Sequence, residues 1–217
     1  MKILMLGNSY TYFFDMPKIL QGLLDSNGVN AKVDSITAGG RELTQNLDEN
    51  DALHAQIVQA CEKNAYDVLV LQEQSSKAME YYREFLRGVS GCISLVSPVR
   101  TVLYATWGRK EGSDLLEHFG WTSQTMTDGL AASYDAAARK CGAVCAHVGK
   151  CFAAIRAEVS DVELYDPDLS HPSYAGSCVA AMALYKTIVG NVPATLSTLT
   201  LDAQTAAALC KAVDRVV

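Results

Sequence analysis

The sequence predicts an α/β fold in three layers, with a parallel sheet of five strands and helices on both of its faces. Five short apolar runs alternate along the chain with segments of helical periodicity. Strands that alternate with helices pair in parallel through right-handed crossovers. Their almost wholly apolar composition is typical of strands that helices cover on both sides. No repeat and no linker rich in Pro, Gly or Ser interrupts the pattern, so we predict one domain over residues 1–217.

The first helix has clear boundary signals. Asp15 can cap it, Pro17 lies in its first turn and Gly28 follows its end. A second helix is indicated by apolar residues at positions 53, 57 and 61. The least regular stretch, residues 108–124, is predicted to be a loop over a site. Strands are predicted over residues 3–6, 33–36, 68–71, 101–105 and 143–148, and later helices over 81–95, 126–140, 152–159, 174–189 and 203–216.

Composition excludes several classes of partner. The net charge of −6 disfavours a nucleic-acid surface, because phosphate binding needs clustered Lys and Arg. No apolar run reaches the roughly 18 residues of a membrane span, and the N-terminus lacks the features of a secretory signal. The seven cysteines, an odd number scattered over apolar segments, are typical of buried thiols in a reducing compartment. We therefore expect a cytoplasmic protein with neither a nucleic-acid nor a membrane partner.

No cofactor is predicted. Cys141, Cys145 and His147 invite a metal site, but the stretch CGAVCAHVG is better explained by a helix end followed by a short buried strand. No second pair of ligands has the spacing of a zinc site. No glycine-rich phosphate loop follows a strand, which disfavours a nucleotide-binding protein.

Polar or glycine-rich segments follow the strands. In an open parallel sheet, ligands bind outside the carboxyl ends of the strands, so these segments converge on one edge. Such convergence at five positions is harder to attribute to chance than any single segment. The segments are GNSYT with Ser9, TAGGREL with Gly39 and Gly40, QEQSS with Gln72 and Gln74, TWGRK with Trp107, and DPDLSHPS with Asp168 and His171.

These residue types fit acyl transfer. The Ser9 hydroxyl is a nucleophile only if a base removes its proton, and His171 can be that base. Asp168, three residues earlier, can fix the tautomer of the imidazole through a short turn. The developing oxyanion needs donors placed in advance. The candidates are the backbone N–H of Ser9, a backbone N–H at Gly39 or Gly40, and a side-chain amide of Gln72 or Gln74.

Other interpretations stay open from the residues alone. Ser9 can simply cap a helix or turn, and Asp168 with His171 can form a loop hydrogen bond. A protein of this fold can also bind a ligand without catalysis, and this is the alternative function. Aromatic side chains near the site are equally well explained as a sugar-binding surface or as core. They are Tyr10, Tyr12, Trp107 and Trp121.

Four blocks, GNSYT, AGG, LQEQS and DLSHPS, resemble the SGNH (GDSL-type) esterase and lipase superfamily, and in particular a bacterial subgroup with GNS and LQEQS blocks. The resemblance runs from residue 1 to about residue 193. It implies a flavodoxin-like sheet of strand order 2-1-3-4-5, a nucleophile at Ser9 and the Asp168/His171 pair. It also implies a serine esterase that cleaves a small O-acyl group, such as acetyl on a carbohydrate, through an acyl-enzyme.

Two blocks depart from the superfamily pattern. Asn8 stands where the first block usually has an aspartate, and it can hydrogen-bond without carrying a charge. The third block usually offers an asparagine amide. Simple alignment puts Gln74 there, whereas the similar Gln-Gly-Glu-Ser segment of sialic-acid O-acetylesterases favours Gln72. We therefore predict that one of these two amides points towards the Ser9 hydroxyl, with Asn8, Tyr10 and Trp107 as candidate substrate contacts.

Overall fold

The computed structural model describes residues 1–159 and 161–217. Its sheet has five parallel strands in the spatial order β2-β1-β3-β4-β5, which confirms the predicted fold class and the strand order that the resemblance implies. β1 and β3 are neighbours, so the segments that follow them emerge side by side. The strands are β1 (Lys2–Gly7), β2 (Lys32–Thr37), β3 (Val68–Leu71), β4 (Arg100–Tyr104) and β5 (Val144–Ala146).

Helices connect the strands and follow the last of them. Those predicted over residues 174–189 and 203–216 agree at both ends with the structure, and the others differ by a few residues. The helices are α1 (Ser9–Tyr12), α2 (Met16–Ser26), α3 (Ala52–Lys63), α4 (Lys77–Glu80), α5 (Tyr82–Val96), α6 (Asp114–Phe119), α7 (Ser123–Cys141), α8 (Val148–Glu158), α9 (Tyr174–Val189) and α10 (Ala203–Val216).

Three local predictions need correction. The last strand ends at Ala146 because His147 is already the N-cap of α8. The predicted loop over residues 108–124 contains α6, which ends at the left-handed Gly120. Asp15 precedes α2 but does not cap it through its side chain, since its own left-handed backbone lacks the extended conformation of a capping residue.

The core forms two clusters, one on each face of the sheet. Ile3 and Met5 of β1 point into the first cluster, whereas Leu4 and Leu6 point into the second, as the two-residue period of a strand requires. α9 is buried almost all round because α2, α8 and α10 pack against it, which explains its apolar composition on every side. Within the described ranges, no helix is long and apolar enough to cross a membrane.

All seven cysteines carry free thiols, but the prediction that they are buried holds for only four of them. Cys61, Cys141 and Cys145 are partly exposed. Burial raises the pKa of the Cys151 thiol to about 12 and that of Cys178 to about 11. Their reactive thiolate forms are therefore scarce at neutral pH.

The segment between α8 and α9 folds back on itself through backbone hydrogen bonds. Ser173 N–H donates to Leu164 O at 2.9 Å, and Asp166 N–H donates to His171 O at 2.8 Å. Gly176, in the first turn of α9, lies so close to this segment that a Cβ there would be 2.3 Å from Leu164 O. The absence of a side chain at position 176 therefore allows the segment that carries Asp168 and His171 to pack against α9.

Gly176→Ala should lower the free energy of unfolding by about 1–3 kcal/mol, because a backbone oxygen must move to admit the methyl group. Gly129→Ala is the matched control, since Gly129 also lies within a helix and its added Cβ would meet only the flexible end of Met79. Urea unfolding of both variants measures the difference. Equal stability of the two variants would contradict the close packing at position 176.

Candidate active site

Ser9 lies directly after β1, on a turn that is fastened from two sides. Asn8 has extended backbone and caps α1, its Oδ1 accepting a hydrogen bond from Tyr10 N–H at 3.1 Å. Its Nδ2 donates to Arg41 O at 2.9 Å. Asn8 is buried, and its side-chain amide is engaged at both ends, so it holds the turn. Ser9 therefore starts a helical turn whose preceding residue cannot rotate freely. Asn8 also lines the pocket that contains Ser9 and His171, and its contact with substrate stays a prediction.

Gln72 holds the same turn from the neighbouring strand. Its Oε1 accepts hydrogen bonds from Asn8 N–H at 2.9 Å and from the Thr11 hydroxyl at 2.8 Å. Its Nε2 donates to the carbonyl oxygen of Glu73. A Cβ at Gly7 would be 2.7 Å from Gln72 Oε1, so a glycine is needed where the two chains meet. Gln72 is fully buried with its amide used, which corrects its place among the candidate oxyanion donors.

Ser9, His171 and Asp168 form a continuous hydrogen-bonded set. Ser9 Oγ is 2.8 Å from His171 Nε2, and His171 Nδ1 bonds the carboxylate oxygen Oδ2 of Asp168. The other carboxylate oxygen accepts from Ser170 N–H at 2.9 Å and from His171 N–H at 2.8 Å. The left-handed backbone of Leu169, with φ 63°, closes the turn that permits these contacts.

The same contacts set the ionisation of Asp168. Partial burial raises the pKa of this carboxyl. The hydrogen bonds from the imidazole of His171 and from the backbone N–H groups of Ser170 and His171 outweigh burial, so the net pKa is lowered. Asp168 is therefore a carboxylate at neutral pH and can orient His171 with Nε2 towards Ser9.

The imidazole of His171 is also held by aromatic rings. Phe13 stacks on it with ring centroids 4.1 Å apart and an interplanar angle of 9°, and Tyr10 approaches edge-on at 5.5 Å. The chain turns sharply after Phe13, since Phe14 and Asp15 both have positive φ. Sequence reasoning did not single out Phe13. The run of aromatic residues that follows Ser9 was the available signal.

Ser9 and His171 line a pocket of about 180 Å³ whose wall includes Gly40, Gln74 and Arg109. Three groups that can donate hydrogen bonds here have no acceptor in the part of the chain that the structure describes. They are the backbone N–H groups of Ser9 and Gly40 and the Nε2 amide group of Gln74, whose Oε1 is buried without a donor in the same described part of the chain. Gly40 has φ 65°, a conformation that favours glycine. Gly39 is exposed and does not line this pocket.

Trp107 packs behind the pocket and has no contact with solvent. It is fully buried, which corrects the prediction that it contacts substrate. It stacks between Tyr10 at 4.8 Å and Phe152 at 4.2 Å, and its Nε1 donates to Ser170 O at 3.0 Å. Its burial follows from its place directly after β4, where α8 covers the sheet.

The other aromatic candidates differ in position. Tyr10 lines the pocket, and its hydroxyl shares hydrogen bonds with Ser170 Oγ at 2.6 Å and Ser75 Oγ at 3.3 Å. Tyr12 is exposed, and Trp121 packs against the second core cluster. Neither of these two residues lines the pocket.

Glu73 connects the two loops that contribute Gly40 and Gln74. Its buried carboxylate accepts from Gln74 N–H at 2.6 Å and from Leu43 N–H at 3.3 Å. Burial raises the pKa of Glu73 to about 7, although these two backbone hydrogen bonds lower it. Nearby Glu42 also raises this pKa and Lys77 lowers it. The string QEQ does not reveal that Glu73 is buried, so the sequence alone indicates no role for this residue.

Away from the pocket, His147 lies next to two other side chains of the kinds that bind metal ions. Its Nε2 is 3.0 Å from Asp135 Oδ1, and its Nδ1 is 3.9 Å from Cys145 Sγ. Cys141 is not a member of this group. Three ligand atoms are one fewer than a closed structural zinc site uses. The pKa of His147 is lowered, because the effect of burial outweighs that of Asp135, which raises it.

No protein-family model matches the chain, and no curated protein matches it. Among solved structures, the chain is similar to an SGNH hydrolase candidate from Slackia heliotrinireducens, with which it shares 33% sequence identity. The match covers 87% of this chain and 98% of that chain, and its TM-score is 0.76.

Two further structures are similar in fold. A DUF4886 family protein from Bacteroides uniformis has 14% identity, with 99% of this chain and 93% of that chain covered and a TM-score of 0.82. The acetyl xylan esterase AlAXEase has 14% identity, with 87% of this chain and 100% of that chain covered and a TM-score of 0.65.

The raised pKa of Glu73 predicts a specific pH dependence of stability. Its ordinary pKa is 4.5, so between pH 4.5 and about 7 the unfolded chain loses this proton while the folded chain keeps it. The stability that the neutral carboxyl contributes is complete below pH 4.5 and is lost as the pH rises to 7. From pH 5 to pH 8, Glu73 should lower the free energy of unfolding by about 2–3 kcal/mol.

Glu73→Gln should remove this component, and the exposed Glu49→Gln serves as the control. Urea unfolding of the wild type and both variants at pH 5 and pH 8 measures it. The interpretation is wrong if the wild type and Glu73→Gln lose the same stability over this range.

Proposed function

The chain belongs to the SGNH hydrolases, and we propose that it is a serine esterase that cleaves small O-acyl esters through Ser9, His171 and Asp168. The observation that carries this proposal is the 2.8 Å contact between Ser9 Oγ and His171 Nε2, with Asp168 on the opposite imidazole nitrogen. A nucleophile within hydrogen-bond reach of an oriented base is what acyl transfer requires.

The first half of the reaction forms an acyl-enzyme. His171 takes the proton of Ser9 as Oγ attacks the ester carbonyl carbon, and the carbonyl oxygen becomes an oxyanion. The carboxylate of Asp168 stabilises the imidazolium. When the tetrahedral intermediate collapses, the C–O bond to the alcohol breaks and His171 gives its proton to the leaving oxygen. Phe13 keeps the imidazole plane aligned with Ser9 throughout.

The second half regenerates the enzyme. A water molecule loses a proton to His171 and attacks the acyl carbon, and the bond to Ser9 Oγ breaks as His171 returns the proton to that oxygen. The products are a carboxylic acid and an alcohol.

The oxyanion needs donors that are not already engaged. The Ser9 N–H, the Gly40 N–H and the Gln74 amide meet that requirement and line the same pocket as Ser9. The backbone of Gln74 is held next to the pocket because its N–H donates to the buried carboxyl group of Glu73. Donors fixed before the reaction need no reorganisation when the charge develops, which lowers the barrier.

The substrate is a short acyl ester, for which a pocket of about 180 Å³ is suited. The alcohol part is a carbohydrate in the acetyl xylan esterase that shares the fold, and we extend that class to this chain as part of the proposal. The alternative of ligand binding without catalysis requires that Ser9 be unreactive, which a covalent probe tests directly.

Ser9→Ala should abolish labelling by a fluorophosphonate probe and lower the turnover of p-nitrophenyl acetate by about 10⁴-fold or more. Ser76→Ala is the control, because Ser76 is buried in the loop after β3 and does not line the pocket. It should label and turn over substrate as the wild type does. A wild type that neither labels nor hydrolyses short esters would favour the ligand-binding alternative.

Gln74→Ala should lower kcat by about 10²–10³-fold with a small change in KM, since the donor acts on the oxyanion and not on the ground-state ester. The exposed Gln204→Ala provides the control. Steady-state kinetics on p-nitrophenyl acetate measure both constants. A kcat within threefold of the wild type would exclude the Gln74 amide from the oxyanion hole.

A further inference from the structure

We propose that Arg109 recognises an anionic group on the substrate, so that the esters cleaved at this site carry a carboxylate or a similar oxyanion. This inference rests on the proposed esterase function and names the substrate class more narrowly. It concerns recognition and leaves the chemistry at Ser9 unchanged.

Arg109 is carried by a backbone that is held on both sides. Gly108 N–H donates to Thr127 Oγ1 at 3.0 Å, and the Tyr165 hydroxyl donates to Gly108 O at 2.7 Å. Lys110 N–H donates to Leu169 O at 2.9 Å, which ties the segment to the turn before His171. The backbone that carries Arg109 is therefore tied to the turn that carries His171.

Arg109 lines the pocket that contains Ser9 and His171. Its recorded side-chain hydrogen bond runs from Nε to Ser75 Oγ at 3.4 Å. Within the described ranges, its terminal nitrogens Nη1 and Nη2 donate to no acceptor, and no carboxylate lies within ion-pair distance of it. Up to four N–H donors of a cation thus remain available at the edge of the pocket.

Two other arginines, Arg41 and Arg100, are also at least partly buried, and both donate hydrogen bonds from their terminal nitrogens. Arg41 donates from Nη1 and Nη2 to the carboxylate of Asp51. Arg100 donates from Nη2 to Ile188 O at 2.8 Å. Arg109 alone of these three lacks a partner there in the described part of the chain. A half-buried cation loses hydration without compensation, and an anionic ligand supplies the missing compensation.

The geometry of the group selects the ligand class. A guanidinium presents paired N–H donors that match the two oxygens of a carboxylate or of a phosphate. The adjacent cation, Lys110, is already paired with Glu163 and does not line the pocket. In a chain of net charge −6, Arg109 is therefore the local positive charge at this site.

Two matched pairs of esters test the inference and locate the anion. In the first pair, 4-acetoxybenzoate is compared with its methyl ester, so the two substrates differ by a charge in the alcohol part of the ester. In the second pair, phenyl hemisuccinate is compared with phenyl butyrate, so the two substrates differ by a charge in the acyl part. We expect the wild type to prefer the anionic member of one pair by tenfold or more in kcat/KM. Arg109→Gln should lower that preference at least tenfold, and Lys110→Gln should retain it.

An absent preference in both pairs, or the same preference in Arg109→Gln and wild type, would overturn the inference. So would an equal loss on anionic and neutral esters, which indicates a structural role. Calorimetric binding of 4-acetoxybenzoate and of phenyl hemisuccinate to Ser9→Ala separates the two proposals. If the wild type cleaves no ester, binding of either anion that Arg109→Gln abolishes still supports the inference, and binding that is absent or unaltered by that change refutes it.

Discussion

The side-chain amide oxygen of Gln72, Oε1, joins the ends of two neighbouring strands, and the geometry of the pocket depends on that junction. It accepts from Asn8 N–H and from the Thr11 hydroxyl, so the turn after β1 is fixed by the end of β3. Buried amides that lose a partner cost free energy, and this keeps the turn in one conformation. Ser9 therefore follows a strand end that is tied to the end of the neighbouring strand.

The hydrogen bonds of Asn8 give a reason for asparagine at the position where the superfamily pattern usually has aspartate. Its Oδ1 accepts the capping bond from Tyr10, which an aspartate can also do. Its Nδ2 donates to Arg41 O, which an aspartate cannot do, since its second oxygen would face the carbonyl oxygen. The amide thus ties the turn of Ser9 to the chain that leaves Gly40, and an uncharged residue suits this position.

The position of His171 depends on a stack of aromatic rings. Tyr10, Trp107 and Phe152 stack one on another beneath the pocket. The hydroxyl of Tyr10 and the indole N–H of Trp107 both bond Ser170, the residue before His171. Movement of His171 away from Ser9 would break these contacts inside a packed core, where mismatches are costly. His171 is held in place through buried rings although its own imidazole is partly exposed.

The sequence by itself determined the sheet, the order of elements and the convergence of Ser9, Asp168 and His171, because strand periodicity and the carboxyl-edge rule are local and topological. Only the tertiary structure decided how neighbouring polar residues divide their roles. Gln72 and Gln74 are two residues apart, yet one is fully buried beneath α1 and the other lines the pocket. Trp107 is buried and Arg109 is not, although both follow β4. These differences arise from contacts between segments remote in the chain, such as Thr127 with Gly108 and Phe152 with Trp107, which no local pattern encodes.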